Sequence, residues 1–155
     1  RNRIGIVLQS TADAGDLTVQ ETLSHFAKYY SAPRDVEEVI NSVGLDEKRG
    51  ALIRTLSGGQ RKLLEMARAL MVEPEMIMLD EPMAGVNPAL KQSLLEHIKE
   101  LRTEGKTVLF VEHDMDFVRR LNCKVTVLHE GSVLAEGSFD HVTQNPDVID
   151  VYLGR

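Results

Sequence analysis

Asp80 and Glu81 stand side by side at the end of the apolar run "MIMLDEPMAG". A buried strand that ends this way delivers both acids to the carboxyl edge of a parallel sheet, where open α/β folds bind their ligands. Adjacent carboxylates repel one another and call for a cation or a shared proton. One division of labour has Asp80 hold Mg²⁺, directly or through water, while Glu81 orients and deprotonates an attacking water. Taken alone, the pair also suits two surface acids in the turn after a strand. Met76, Met78 and Met83 around it are assigned to core packing.

The run "TVLFVEHD" repeats the device and ends in Glu112, His113 and Asp114. His113 is expected at the same sheet edge as Glu81, as a donor to a phosphate oxygen. The remaining histidines, His25, His97, His129 and His141, read as structural or solvated. Gln9 closes the run "IGIVLQ" and offers an amide that can touch Mg²⁺, water or a neighbouring subunit.

A third feature is "TLSGGQRKLLEMARAL", residues 55 to 70. Leu63, Leu64, Ala67, Leu70 and Met71 recur at helical spacing, so one stripe packs inward. Ser57, Gly58 and Gly59 head the helix, where free N–H groups and the dipole favour an anion; glycine admits close approach, and the serine hydroxyl adds a donor or simply caps the helix. One such terminus contributes about 0.3 to 2 kcal/mol toward an anion. Micromolar nucleotide binding needs about 8 kcal/mol. This helix start cannot hold a nucleotide alone, and the sequence contains no phosphate loop of the form G-x-x-x-x-G-K-[S/T].

The elements that must position these groups follow from pattern. With 155 residues, 43% of them hydrophobic, the chain can bury a real core. A formal net charge of -6 argues against a surface that coats nucleic acid. The single cysteine, Cys123, excludes an intramolecular disulfide and suits a reducing compartment; no apolar run approaches the roughly 18 residues of a membrane span. The expected location is the cytosol or the cytosolic side of a membrane. The chain opens at Arg1 directly into a strand pattern, which predicts an excised segment of a longer protein.

Thr18 and Glu21 have capping-box spacing and predict a helix from Val19 to about Tyr30. Pro33 opens a second helix that Gly44 ends, and the helix behind "LSGGQ" runs to about Val72. Strand, helix and strand between Met76 and Asp114 predict a βαβ unit and a parallel sheet. A helix near Met115 to Leu121, a β-hairpin turning at Glu130 and Gly131, and a helical tail broken at Pro146 complete the chain. The organisation is a strand and loop over 1–18, a helical insert over 19–72 and an α/β core over 73–155.

Taken together, "LSGGQ", "MIMLDEP", "AGVNP", "VEHD" and Gln9 resemble the ATP-binding cassette (ABC) family, in its order and over essentially the whole chain. The resemblance implies an α/β P-loop NTPase-type sheet with a helical subdomain, here without the Walker A region and the adenine-stacking aromatic that the family places before Gln9. It implies that "LSGGQ", with Ser57, Gly58, Gly59 and Gln60, is the signature motif that meets a partner's ATP. "MIMLDE" becomes the Walker B strand, "AGVN" the D-loop, His113 the switch histidine and Gln9 the Q-loop glutamine. ATP and Mg²⁺ are the implied cofactors, with Asp80 and Gln9 toward the metal and Glu81, His113 and Gln9 in catalysis. The implied partners are a second ATPase subunit arranged head to tail, transmembrane permease subunits and, for uptake, a substrate-binding protein.

Asn87 stands where many members carry an aspartate, which keeps hydrogen bonding but loses a charge. "KVTVLHEGSVLAEGSFDHV" and "PDVIDVYLGR" look like the ATPases of branched-chain amino acid and urea uptake, whereas the first third looks more like cassettes of drug and polysaccharide exporters. The longer C-terminal match favours uptake. Two other readings stay open: a non-catalytic module that completes a partner's ATP site, and a non-transport cassette acting on ribosomes or DNA.

Overall fold

The computed structural model describes residues 4–7 and 15–153. The chain forms two compact units, Arg1–Glu112 and His113–Arg155.

In the first unit three strands, β1 (Ile4–Val7), β2 (Met76–Asp80) and β3 (Thr107–Val111), make a parallel sheet with β2 in the middle. Register sets Val7, Leu79 and Phe110 side by side and carries Asp80 level with Val111. Helix α4 (Pro88–Thr103) joins β2 to β3, so the expected βαβ unit is present. The connection from β1 to β2 runs through α1 (Val19–Ala27), α2 (Val36–Ser42), two short 3₁₀ turns and α3 (Gly58–Leu70).

Each helix follows from its sequence. Leu94, Leu95, Ile98 and Leu101 make one stripe of α4 and are all buried. Full burial of such a side chain stabilises by about 1.5 to 3 kcal/mol. Helix α4 packs on β3, while α3 packs on β1 and against α1, α2 and α4. Thr18 caps α1 in a complete capping box with Glu21. The helix stops at Ala27 rather than Tyr30, because Lys28, Tyr29 and Tyr30 donate to His25, Phe26 and Ala27 in tightened i→i−3 turns. Helix α2 opens at Val36 rather than at Pro33, since the Asp35 carboxylate accepts the Glu38 N–H at 3.1 Å and takes the cap position.

The sheet differs from a strand set buried on both faces. Val7, Ile77 and Leu79 are buried beneath the helices, whereas Ile4, Ile6, Met78, Leu109 and Val111 on the opposite pleat are exposed. Period-two alternation sends the two sets to opposite faces, and the helices of the described residues cover one of them. Met78, expected in the core, belongs to the exposed set; Met83 is buried as expected.

The second unit holds α5 (Met115–Leu121), an antiparallel hairpin of β4 (Val125–His129) and β5 (Ser132–Gly137), α6 (Phe139–Thr143) and α7 (Pro146–Val148), followed by a single π-type turn. Glu130 and Gly131, at φ 48° and 77°, form the two-residue turn. Positive φ at both positions matches the twist of the flanking strands. Ala135, Val142 and Val148 form a small core with Val125, Val127 and Leu134.

Candidate functional site

The first unit gathers its acids at one edge of the sheet. Glu81 extends the pairing one residue past β2 by donating its N–H to the Val111 carbonyl at 3.0 Å. Its backbone then turns left-handed, at φ 42°. A non-glycine residue held there costs on the order of 1 to 3 kcal/mol and persists where its surroundings over-determine it. Two surroundings do so. The Met83 N–H donates to Glu112 Oε1 at 2.6 Å, and the Lys62 ammonium donates to the Asp80 carbonyl at 3.4 Å. Lys62 comes from α3 and is only 8% exposed. Burial pushes its ammonium below the ordinary lysine range, while the nearby carboxylates of Asp80, Glu65, Glu112 and Glu81 pull it back up. Asp80 and Glu81 are half-buried at this edge.

The head of α3 is built against the loop that follows Glu81. Ser57 Oγ accepts the Gln60 N–H at 3.2 Å, and Gln60 Oε1 accepts the Ser57 N–H at 3.0 Å, a closed capping box. The two glycines sit in tight quarters inside the chain. A Cβ on Gly58 would lie 3.1 Å from the Gly85 carbonyl oxygen, and one on Gly59 would lie 2.7 Å from Leu90 Cδ1 and 3.1 Å from Val86 Cγ1. Gly59 is therefore buried against the start of α4, whereas Ser57 and Gly58 remain exposed. The glycine pair permits helix-to-loop packing within one subunit, a role that the spacing alone did not reveal. Asn87 caps α4, its Oδ1 accepting the Leu90 N–H at 3.0 Å, with Pro88 at the first helical position.

Among the residues singled out above, the structure thus brings Asp80 and Glu81 to one sheet edge and sets Gly58 and Gly59 against the loop that ends at Asn87. Gln9 lies outside the described residues. His113 follows Glu112 directly and is exposed at the start of the second unit. Next to it, Asp114 caps α5 by accepting the Phe117 N–H at 3.1 Å. The sequence reading passed over Lys62, and named Glu112 at the end of its strand without giving it a role. Lys62 had a visible signal, a lysine three residues after Gly59 and four before Met66 on the stripe that α3 buries. Glu112 had none beyond its place in the carboxylate-rich end of β3.

Hard carboxylate oxygens at Asp80 and Glu81 suit Mg²⁺, which is held by one or two carboxylates and completes its shell with water and substrate phosphate. Among the described residues no group of three or more His, Cys, Asp or Glu side chains is arranged to hold a metal ion.

The sequence profile described as "ABC transporter" matches residues 1–84, and the one described as "Branched-chain amino acid ATP-binding cassette transporter" matches residues 132–155. The chain is 43% identical to the "Probable branched-chain amino acid transport ATP-binding protein LivG" of Archaeoglobus fulgidus, over 75% of this chain and 45% of that protein. It is 33% identical to the "Nod factor export ATP-binding protein I" of Burkholderia lata, over 98% of this chain and 53% of that protein. The chain thus spans about half the length of these curated relatives. The crystal structure of the ADP conformation of an ATP-binding cassette of an ABC transporter superposes with a TM-score of 0.82 at 29% identity, covering 98% of this chain and 68% of that one. With a family profile over more than half its length and the cassette fold beneath it, the chain belongs to the ABC transporter family, close to the ATPases of branched-chain amino acid transport.

Proposed function

We propose that the chain is the ATP-hydrolysing part of an ABC transporter subunit that powers uptake of branched-chain amino acids or related amides or urea. The carrying observation is the acidic edge: Asp80 and Glu81 at the carboxyl end of the central parallel strand, in a chain of this family. Glu81 accepts the proton of a water attacking the γ-phosphate in line, and Asp80 binds the metal with Gln9 as a further oxygen donor. Mg²⁺ held by Asp80 would supply charge neutralisation for the transferring phosphoryl group. His113 and Gln9 steady the phosphate and the water, while Ser57 to Gln60 face the ATP held by a partner subunit, next to Asn87. Residues 19–72 act as the helical part that contacts membrane permease subunits, and 73–155 as the α/β core. The working position is peripheral, on the cytoplasmic face of the membrane; no helix among the described residues is long and apolar enough to cross one.

The sequence holds no phosphate loop, so hydrolysis belongs to an assembly that supplies one, in the same polypeptide or in a partner. That same observation favours a second reading, a signature module that completes a partner's ATP site without its own turnover. Glu81→Gln separates the two. In an assembly containing this chain it lowers MgATP hydrolysis by about 10² or more if Glu81 is the general base. Full activity after the substitution removes Glu81 from that role and leaves the module reading.

A further inference from the structure

We propose that Glu112 is a positioning residue for the hydrolytic edge: by accepting the Met83 N–H it sets the turn that carries Glu81, with Lys62 anchoring the other side of that turn through the Asp80 carbonyl. The inference rests on the reading of Asp80 and Glu81 as the hydrolytic carboxylates.

Glu81 is held on both sides by bonds to different elements. Ahead of it, Lys62 of α3 donates to the Asp80 carbonyl at 3.4 Å, and the Glu81 N–H itself donates to the Val111 carbonyl of β3 at 3.0 Å. Two residues after it, the Met83 N–H donates to the Glu112 carboxylate oxygen at 2.6 Å. Met83 is 3% exposed, so water is a poor substitute partner at that position. Between the two anchors lies the left-handed residue, Glu81, at φ 42°. Local preference opposes left-handed backbone at a non-glycine residue, so bonds from other elements help to hold Glu81 there. The Glu112 bond supplies that support from just past the end of β3. Further along the same turn, Ala84 donates to the Glu81 carbonyl at 3.1 Å and Val86 to Met83 at 3.3 Å, so a shift at Met83 is passed to Glu81 on one side and to Gly85 and Asn87 on the other. The backbone of that loop stands against Gly58. One carboxylate thereby sets the place of the base and the seat of the signature helix together.

What Glu112 contributes here is reach, an oxygen at the right distance from Met83, more than charge. Aspartate keeps the charge and withdraws the oxygen by one methylene; glutamine keeps the oxygen and discards the charge. The test measures kcat and KM for MgATP in the assembly containing this chain, for wild type, Glu112→Asp, Glu112→Gln and Glu112→Ala, with amide hydrogen exchange at Met83 in each. Glu112→Asp and Glu112→Ala are expected to lower kcat about tenfold or more with KM within about twofold, and to speed Met83 exchange; Glu112→Gln is expected to restore both. Lys62→Met is expected to lower kcat and Lys62→Arg to recover it. The reverse order, with the aspartate variant active and the glutamine variant not, overturns the proposal in favour of a charge effect. So does an unchanged kcat in Glu112→Ala, or rapid Met83 exchange in the wild type. Should the wild-type assembly hydrolyse no MgATP, the hydrolytic reading fails on its own, and the Met83 exchange series still decides whether Glu112 holds the turn.

Discussion

Gly59 and Leu90 are in close contact: a Cβ built on Gly59 stands 2.7 Å from Leu90 Cδ1 and 3.2 Å from Leu90 Cβ. The signature helix and α4 meet at this point, directly behind the loop that follows the acidic edge.

Gly59→Ala therefore sets a gain in helix propensity against overpacking. Alanine is favoured over glycine inside a helix by about 1 kcal/mol, yet forcing a methyl into a packed contact costs about 1 to 3 kcal/mol. The expected outcome is net destabilisation in urea unfolding. A second substitution, Leu90→Ala, removes the nearest obstructing atom, Cδ1, while Val86 Cγ1 and the Cβ at position 90 stay, so the double variant loses less stability than the two single losses added together. Additive losses would show that the contact is not what excludes a side chain at Gly59.

Asn87 offers a second measurement. Its Oδ1 accepts the Leu90 N–H at 3.0 Å, and that bond alone is lost in Asn87→Ala, at a cost of about 1 kcal/mol in unfolding free energy. Asn87→Asp keeps the acceptor and places a negative charge at the N-terminus of α4, which favours the helix by about 0.3 to 1 kcal/mol at low salt. The stability order is expected to be aspartate, asparagine, alanine, with the first gap closing as salt is added.

The hairpin carries a pH-dependent contribution. Glu136 is held below its ordinary value of 4.5 by the bond from Lys124, then by the bond from Thr126, and by the lysine's charge; the two distances are 3.0 and 2.9 Å. A carboxyl with a depressed folded pKa stabilises fully above its unfolded value and loses that contribution as pH falls through the folded value. The stability difference between wild type and Glu136→Gln is thus expected to shrink as thermal unfolding is followed from about pH 6 to about pH 3. A difference that stays constant over that range would remove Glu136 from the account.

Much of this architecture is legible in the residue order because it rests on local chemistry. Capping at Thr18 and Ser57, the βαβ order between Met76 and Val111, and the hairpin turn at Glu130 and Gly131 all follow from side chains acting on their own neighbours in the chain. Helix ends were less legible. Asp35 displaced Pro33 as the start of α2, since a carboxylate that reaches the third amide of the helix satisfies a donor that proline cannot.

By itself, then, the sequence determined the fold class, the family and the two carboxylates at the end of β2, because periodicity, caps and contiguous motifs are written in consecutive residues. Tertiary structure alone decided what holds those carboxylates and what the signature glycines touch. Lys62 reaches Asp80 across 18 positions and Glu112 reaches Met83 across 29. Which face of the sheet its helices cover was settled in the same way, with Met78 and Leu109 on the open pleat. Contacts between residues so far apart depend on how strands and helices pack against one another, and no spacing along the chain encodes that.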